Sequence, residues 1–251
     1  MNKLPQITFA FWVMKIAATT LGETAGDLLS MTLNVGYALS SMILFGGFLV
    51  TLAGQLAAKR YYPPLYWLVI LSTSTAGTTM SDYMDRTLHL GYARGTLVLV
   101  TILAAIFTTW KLSGNTMSVN FIRTRKVEVL YWTAILFSNT LGTALGDFLA
   151  DDSGLGFAGG ALLIGGLLAL VLAAAFFTKL SKVFLFWVAF VLTRPFGATM
   201  GDVLTKTPDK GGLGFGTVGS SAVLLGILVL FVIHAMWSQR NESRMQDAVA
   251  E

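Results

Sequence analysis

Cysteine is missing from the chain, and histidine is nearly so, with His89 and His234 the only two. The first absence excludes disulfides, iron–sulfur clusters, thiolate zinc sites and cysteine nucleophiles. The second leaves almost no room for a metal centre built on imidazole. Charge is scarce too: 12% of the 251 residues are Asp, Glu, Lys or Arg, whereas a soluble domain carries about a quarter. With 55% hydrophobic residues and a mean hydropathy of +0.70, the chain cannot coat a water-facing surface. It is also too apolar and too aromatic for disorder. The excess of 17 basic over 13 acidic residues reads as membrane topology rather than nucleic-acid binding. What remains is a polytopic membrane protein whose function rests on the few polar groups inside the bilayer.

A helix needs about 20 mainly apolar residues to cross the hydrocarbon. Eight such stretches are expected, at 7–31, 35–57, 65–86, 92–112, 129–149, 157–178, 182–204 and 214–237. No cleavable leader precedes the first, so it is read as mature protein. Lys3, Lys59, Arg60, Lys111, Arg123, Arg125, Lys126, Lys179, Lys182, Arg240 and Arg244 fall on one side, against Arg86, Arg94, Lys206 and Lys210 on the other. The positive-inside rule then puts both termini in the cytoplasm. Lys15 and Arg194 fall within spans and need a separate explanation.

Internal repetition organises the sequence. Trp12, Trp67, Trp132 and Trp187 each open an odd-numbered span, and each is followed fifteen residues later by an aspartate: Asp27, Asp82, Asp147 and Asp202. Between them lie the octets TLGETAGD, TAGTTMSD, TLGTALGD and PFGATMGD. Each octet carries a glycine and, four residues on, a second small residue: Gly22 and Gly26, Gly77 and Ser81, Gly142 and Gly146, Gly197 and Gly201. A glycine–aromatic pair opens each following helix, at Gly36–Tyr37, Gly91–Tyr92, Gly156–Phe157 and Gly214–Phe215. The expected architecture is an all-α integral membrane protein: a single polytopic domain of eight transmembrane helices, arranged as four tandem parallel two-helix repeats with pseudo-symmetry about the membrane normal. The repeats span roughly 9–57, 64–112, 129–178 and 184–237, with a short cytoplasmic tail at 238–251.

Parallel repeats place equivalent residues at equal depth, unlike inverted ones. With the tryptophans at the cytoplasmic interface, where indole rings prefer to lie, fifteen residues at about 1.5 Å each set the aspartates roughly 22 Å further along. The small-xxx-small pairs let helix backbones approach closely in lipid. The four aspartates then converge beside that contact, and four carboxylates together need protons, a cation or basic partners. Glu23 adds a fifth acid on the face of Asp27; the other copies have Thr78, Thr143 and Ala198 there. Such acids suit a hard cation that takes oxygen ligands, with Thr20, Thr75 and Thr140 as further neutral oxygens. Thr19, Ser74, Asn139 and Arg194 precede the octets, and Lys15 lies two turns before Glu23. Lys15 and Arg194 are the expected charge partners of the acids, and Arg86 could neutralise Asp85. Met80 and Met200 are read as packing rather than soft ligands, and His89, near the outer mouth, as a surface or gating group.

Four tandem two-span repeats, each with Trp near its start and a Gly-x-x-x-small-Asp segment, resemble the bacterial membrane proteins built from the DUF347 repeat. The resemblance covers Trp12 to Trp237. It implies eight spans in a bacterial inner membrane and confers no activity. A looser similarity links Glu23 to Asp27 with the Glu-x-Gly-Asp signature of the UPF0016 cation exporters. The spacing differs by one residue, and Leu28, Tyr83, Phe148 and Val203 stand where that family has a base.

Intramembrane acids generally mark function. The leading expectation is a secondary transporter of a divalent, manganese-like cation, exporting it with proton coupling. Its ligands would be Asp27, Asp82, Asp147, Asp202 and Glu23, and its partners the lipid bilayer and the transported ion, with no nucleic acid. The alternatives are a carrier of an organic cation or hydrophobic solute, or a non-transport scaffold or sensor component. No nucleophile–base pair, phosphate loop or cofactor motif is visible, so neither an enzyme nor a cofactor is expected.

Overall fold

A computed structural model describes residues 3–114, 116–118 and 124–250, with side chains described through Asn241. Arg123 and the side chain of Arg244, both used above for orientation, lie outside the described residues. Among these residues the fold is all-helical, with α1 Phe9–Asp27, α2 Tyr37–Ala57, α3 Pro63–Asp82, α4 Tyr92–Leu112, α5 Arg125–Asp147, α6 Gly156–Phe177, α7 Lys182–Thr205 and α8 Gly216–Ala250. The last helix runs on through the segment expected as a short tail.

The odd-numbered helices form a closed inner ring: α1 packs on α3, α3 on α5, α5 on α7, and α7 back on α1. Each even-numbered helix takes as its main partner the inner helix of the following repeat, so α2 covers α3, α4 covers α5, α6 covers α7 and α8 covers α1. The repeats are thus interlocked around the ring rather than stacked as separate hairpins. Five helices, α2, α4, α6, α7 and α8, are long and apolar enough to cross a membrane. The inner helices α1, α3 and α5 are not, because their buried faces are lined with Thr, Ser, Asn, Asp and Glu. Outer helices turn large apolar side chains outward, with Leu162 78% and Leu97 67% exposed. That surface suits lipid and not water.

Glycine sets the ring's tightness, and the same contact recurs at every seam. Gly22 meets Ser74, Gly77 meets Asn139, Gly142 meets Arg194 and Gly197 meets Thr19. A Cβ on Gly77 would lie 2.9 Å from the Thr140 backbone nitrogen, so only glycine lets these backbones pass. One turn on, Gly26 meets Thr78, Gly146 meets Ala198 and Gly201 meets Glu23. Ser81 takes a polar role instead, and its hydroxyl donates to Asp85 Oδ2 at 3.3 Å.

The tryptophans pack on one another's repeats. Trp67, Trp132 and Trp187 are buried, and with the aromatic preceding each Trp they close one end of the ring. Phe11 meets Trp67, Tyr66 meets Trp132, Tyr131 meets Trp187 and Phe186 meets Trp12, at centroid distances of 5.7, 5.6, 6.0 and 5.7 Å. The Tyr66 and Tyr131 hydroxyls bond to each other at 2.9 Å. Aromatic pairs at such centroid distances stabilise beyond the area they bury.

At the opposite end, α1, α3 and α5 each finish on their aspartate and pass into a π-helical turn, at Leu28–Thr32, Tyr83–Thr87 and Phe148–Asp152. Positive φ then turns the chain outward at Asn34 and Gly36, His89 and Gly91, and Gly154 and Gly156. In the fourth repeat the pair is Gly214 and Gly216. The residue that opens α8 is therefore Gly216, and the expected match of Gly214–Phe215 to Gly36–Tyr37 is two residues early.

Candidate functional site

Steps of four residues from each Trp+3 position keep one face of each inner helix toward the ring's centre. Along α1 these residues are Lys15, Thr19, Glu23 and Asp27, and along α7 they are Phe190, Arg194, Ala198 and Asp202. The counterparts are Ile70, Ser74, Thr78 and Asp82 on α3, and Ile135, Asn139, Thr143 and Asp147 on α5. Every one of them is buried. The polar face runs from the aspartates down to Lys15, just above the aromatic end.

The four aspartates converge in two bridged pairs. Lys206 Nζ lies 3.0 Å from Asp27 Oδ2 and 3.1 Å from Asp202 Oδ1. Arg86 lies 3.0 Å from Asp82 Oδ1 through Nε and 3.3 Å from Asp147 Oδ2 through a terminal nitrogen. Both cations sit four residues after an aspartate of their own repeat. Neither pairing with these four aspartates is expected from the sequence, where both residues are counted as outer-side charges and Arg86 is set against Asp85. Arg86 does not neutralise Asp85, whose carboxylate instead rests on Gly95 of α4, where any side chain would displace it.

One turn deeper lies a wholly buried pair. Arg194 donates to Glu23 Oε2 at 2.9 Å and to the hydroxyls of Thr78 and Thr143 at 2.5 and 2.6 Å. Those two threonines occupy the position that Glu23 holds in repeat one, so one guanidinium from α7 gathers the corresponding residues of the other three repeats. Arg194 is therefore the expected charge partner, and its acid is Glu23. Lys15, the other expected partner, makes no ion pair: its Nζ lies 4.1 Å above the Phe190 ring and has no hydrogen-bond partner among the described residues.

Among the described residues, the column is most exposed at its aspartate end. Side-chain exposure falls from 30% at Arg86 and 22% at Lys206 to 4% at Glu23 and zero at Arg194. Glu23, Asp147 and Asp202, from three different repeats, each present a carboxylate oxygen within 4.8 Å of the other two. Asp82 Oδ2, Ser74 Oγ and Asn139 Oδ1 are buried without a hydrogen-bond partner. Asp27 and Asp82 stand beside this cluster, held by the bridging cations. The hydroxyls of Thr20, Thr75 and Thr140 donate to carbonyls of their own helices, keeping their lone pairs as acceptors. Met80 packs against the apolar core, and His89 is exposed at the outer turn.

Residues 10–61, 65–116, 130–181 and 185–241 each match the family model described as Repeat of Unknown Function (DUF347). These matches span most of the chain, so the protein belongs to that family and is built from four of its repeats. No curated protein matches the chain, and no solved structure does.

Proposed function

We propose that this member of the DUF347 repeat family is a secondary transporter of a divalent metal cation of the Mn²⁺ type, with Glu23, Asp147 and Asp202 as the oxygen ligands of the transported ion. The observation that carries the reading is the meeting of three buried carboxylates from three repeats within 4.8 Å. An anionic oxygen set of this kind suits a hard or borderline divalent ion. Asp82, Ser74 and Asn139, on the same face of the inner helices, carry buried oxygens with no hydrogen-bond partner among the described residues. Arg194 is a tethered cation already seated on Glu23. In this reading an arriving ion displaces the guanidinium, which then rests on Thr78 and Thr143.

The same reading takes all eight helices as spans, pseudo-symmetric about the membrane normal, since the inner helices are enclosed by apolar ones of similar length. The basic loop residues favour both termini in the cytoplasm of a bacterial inner membrane. The aromatic end then faces the cytoplasm, and the ion site opens outward in this conformation. Export follows when one two-repeat half rocks against the other and parts the aromatic seams.

Reconstituted protein tests this directly. Mn²⁺ flux into proteoliposomes is expected for the wild type and should fall at least tenfold for Asp147→Asn and Asp202→Asn. Undiminished flux in both variants, or none in a folded wild type, would refute the assignment.

A further inference from the structure

Lys15 is fully buried, lacks a hydrogen-bond acceptor among the described residues and contacts the face of Phe190. Packing does not require it, because the other repeats fill the same position with Ile70, Ile135 and Phe190. The groups around it are few. Glu23 lies two turns along its own helix, and Arg194 comes from α7. On α8, His234 lines a cavity that also touches Phe11 and Met14.

Charge along the column explains what such a lysine can do. The five carboxylates of Glu23, Asp27, Asp82, Asp147 and Asp202 face four cations, Lys15, Arg86, Arg194 and Lys206. With every group ionised, one negative charge is in excess. A divalent ion overshoots that balance by one, and a dry interior strongly disfavours net charge. Neutrality returns if a single cation on the column gives up a proton. The arginines cannot do so, and Lys206 is tied to two carboxylates. Lys15 has no acceptor to lose.

We infer that Lys15 is the proton carrier of the column: entry of a divalent cation at Glu23, Asp147 and Asp202 converts the Lys15 ammonium to the neutral amine, its proton passing to water when the aromatic seams part. Reprotonation of Lys15 expels the ion, so metal and proton alternate and move in opposite directions. This inference rests on the divalent-cation reading above and adds its coupling ion.

The test is calorimetric titration of the full chain in lipid nanodiscs with MnCl₂, run in buffers of different ionisation heat to count the protons released. The wild type should release about one proton more per ion than Lys15→Met. Its affinity should fall by about a further tenfold for each unit of lowered pH, relative to that variant. Lys15→Arg, which keeps the charge permanently, should bind Mn²⁺ at least tenfold more weakly at every pH, while remaining folded by size-exclusion chromatography. Equal proton release by the wild type and either variant, with Mn²⁺ still bound, overturns the role of Lys15 and leaves the cation site standing. So does the absence of proton release from the wild type alone. A folded wild type that binds no divalent ion overturns both.

Discussion

Removing the carboxylate of Glu23 isolates the most deeply buried cation of the site that has an ionic partner. Arg194 is fully buried, its terminal nitrogen lies 2.9 Å from Glu23 Oε2, and Glu23 itself is almost inaccessible. Two unit charges about 4 Å apart interact by about 4 kcal/mol at the effective dielectric of protein sites. Breaking a buried pair from one side typically costs about 3–5 kcal/mol, because the surviving charge stays desolvated. Thr78 and Thr143 soften the loss, since Arg194 keeps both hydroxyls as acceptors. Glu23→Gln, which retains an acceptor oxygen, should therefore fall near the lower figure, about 3 kcal/mol. Arg194→Met should cost a similar amount, and the double variant much less than the sum of the two. The assay is reversible unfolding of the protein in mixed micelles, monitored by tryptophan fluorescence and analysed as a double-mutant cycle. Costs below about 1 kcal/mol for each single variant, or strict additivity in the double, would refute the claim that a dry ion pair holds this level of the ring.

Three further outcomes follow from the geometry. Gly77→Ala drives a methyl against the Asn139–Thr140 backbone and should lower stability by about 1–3 kcal/mol, whereas Gly166→Ala, with nothing within 4 Å, should leave the thermal midpoint unchanged or slightly raised. Tyr66→Phe strands the buried Tyr131 hydroxyl and should cost about 1–3 kcal/mol, more than the paired change Tyr66→Phe with Tyr131→Phe; fluorescence-detected unfolding of the wild type and the two variants checks the order. Lys206→Met frees Asp27 and Asp202 of their bridging cation and should tighten Mn²⁺ binding severalfold in calorimetry, while a weakening would argue that the bridge shapes the ligand set rather than competes with the ion.

The ring was legible in the sequence because its contact is periodic. A glycine at one offset and a small residue four later, repeated in every copy, can only mark a shared close-packed face. Glu23 with Arg194 was half legible: both were recognised as charges within spans, but which acid meets which base depends on how far α7 reaches across the ring. The bridging roles of Arg86 and Lys206 were missed because Arg86 was set against Asp85 and both were counted as outer-side charges for topology. Their spacing of four residues from Asp82 and Asp202 was the available sign, since residues so spaced share a helix face. The packing of the tryptophans across repeats was not foreseen, and its sign was the aromatic residue that precedes each of them, at Phe11, Tyr66, Tyr131 and Phe186. The two-residue slip at Gly214 arose from matching residue types, where backbone turning at Gly216 defines the equivalent position.

The most direct measurement is anomalous diffraction from crystals of the protein grown with Mn²⁺. One manganese peak among the carboxylates of Glu23, Asp147 and Asp202, with the Arg194 guanidinium displaced from Glu23, is the expected result. A crystal saturated with Mn²⁺ that shows no peak there, and Arg194 still bonded to Glu23, would contradict the assignment of these three acids as the ion's ligands.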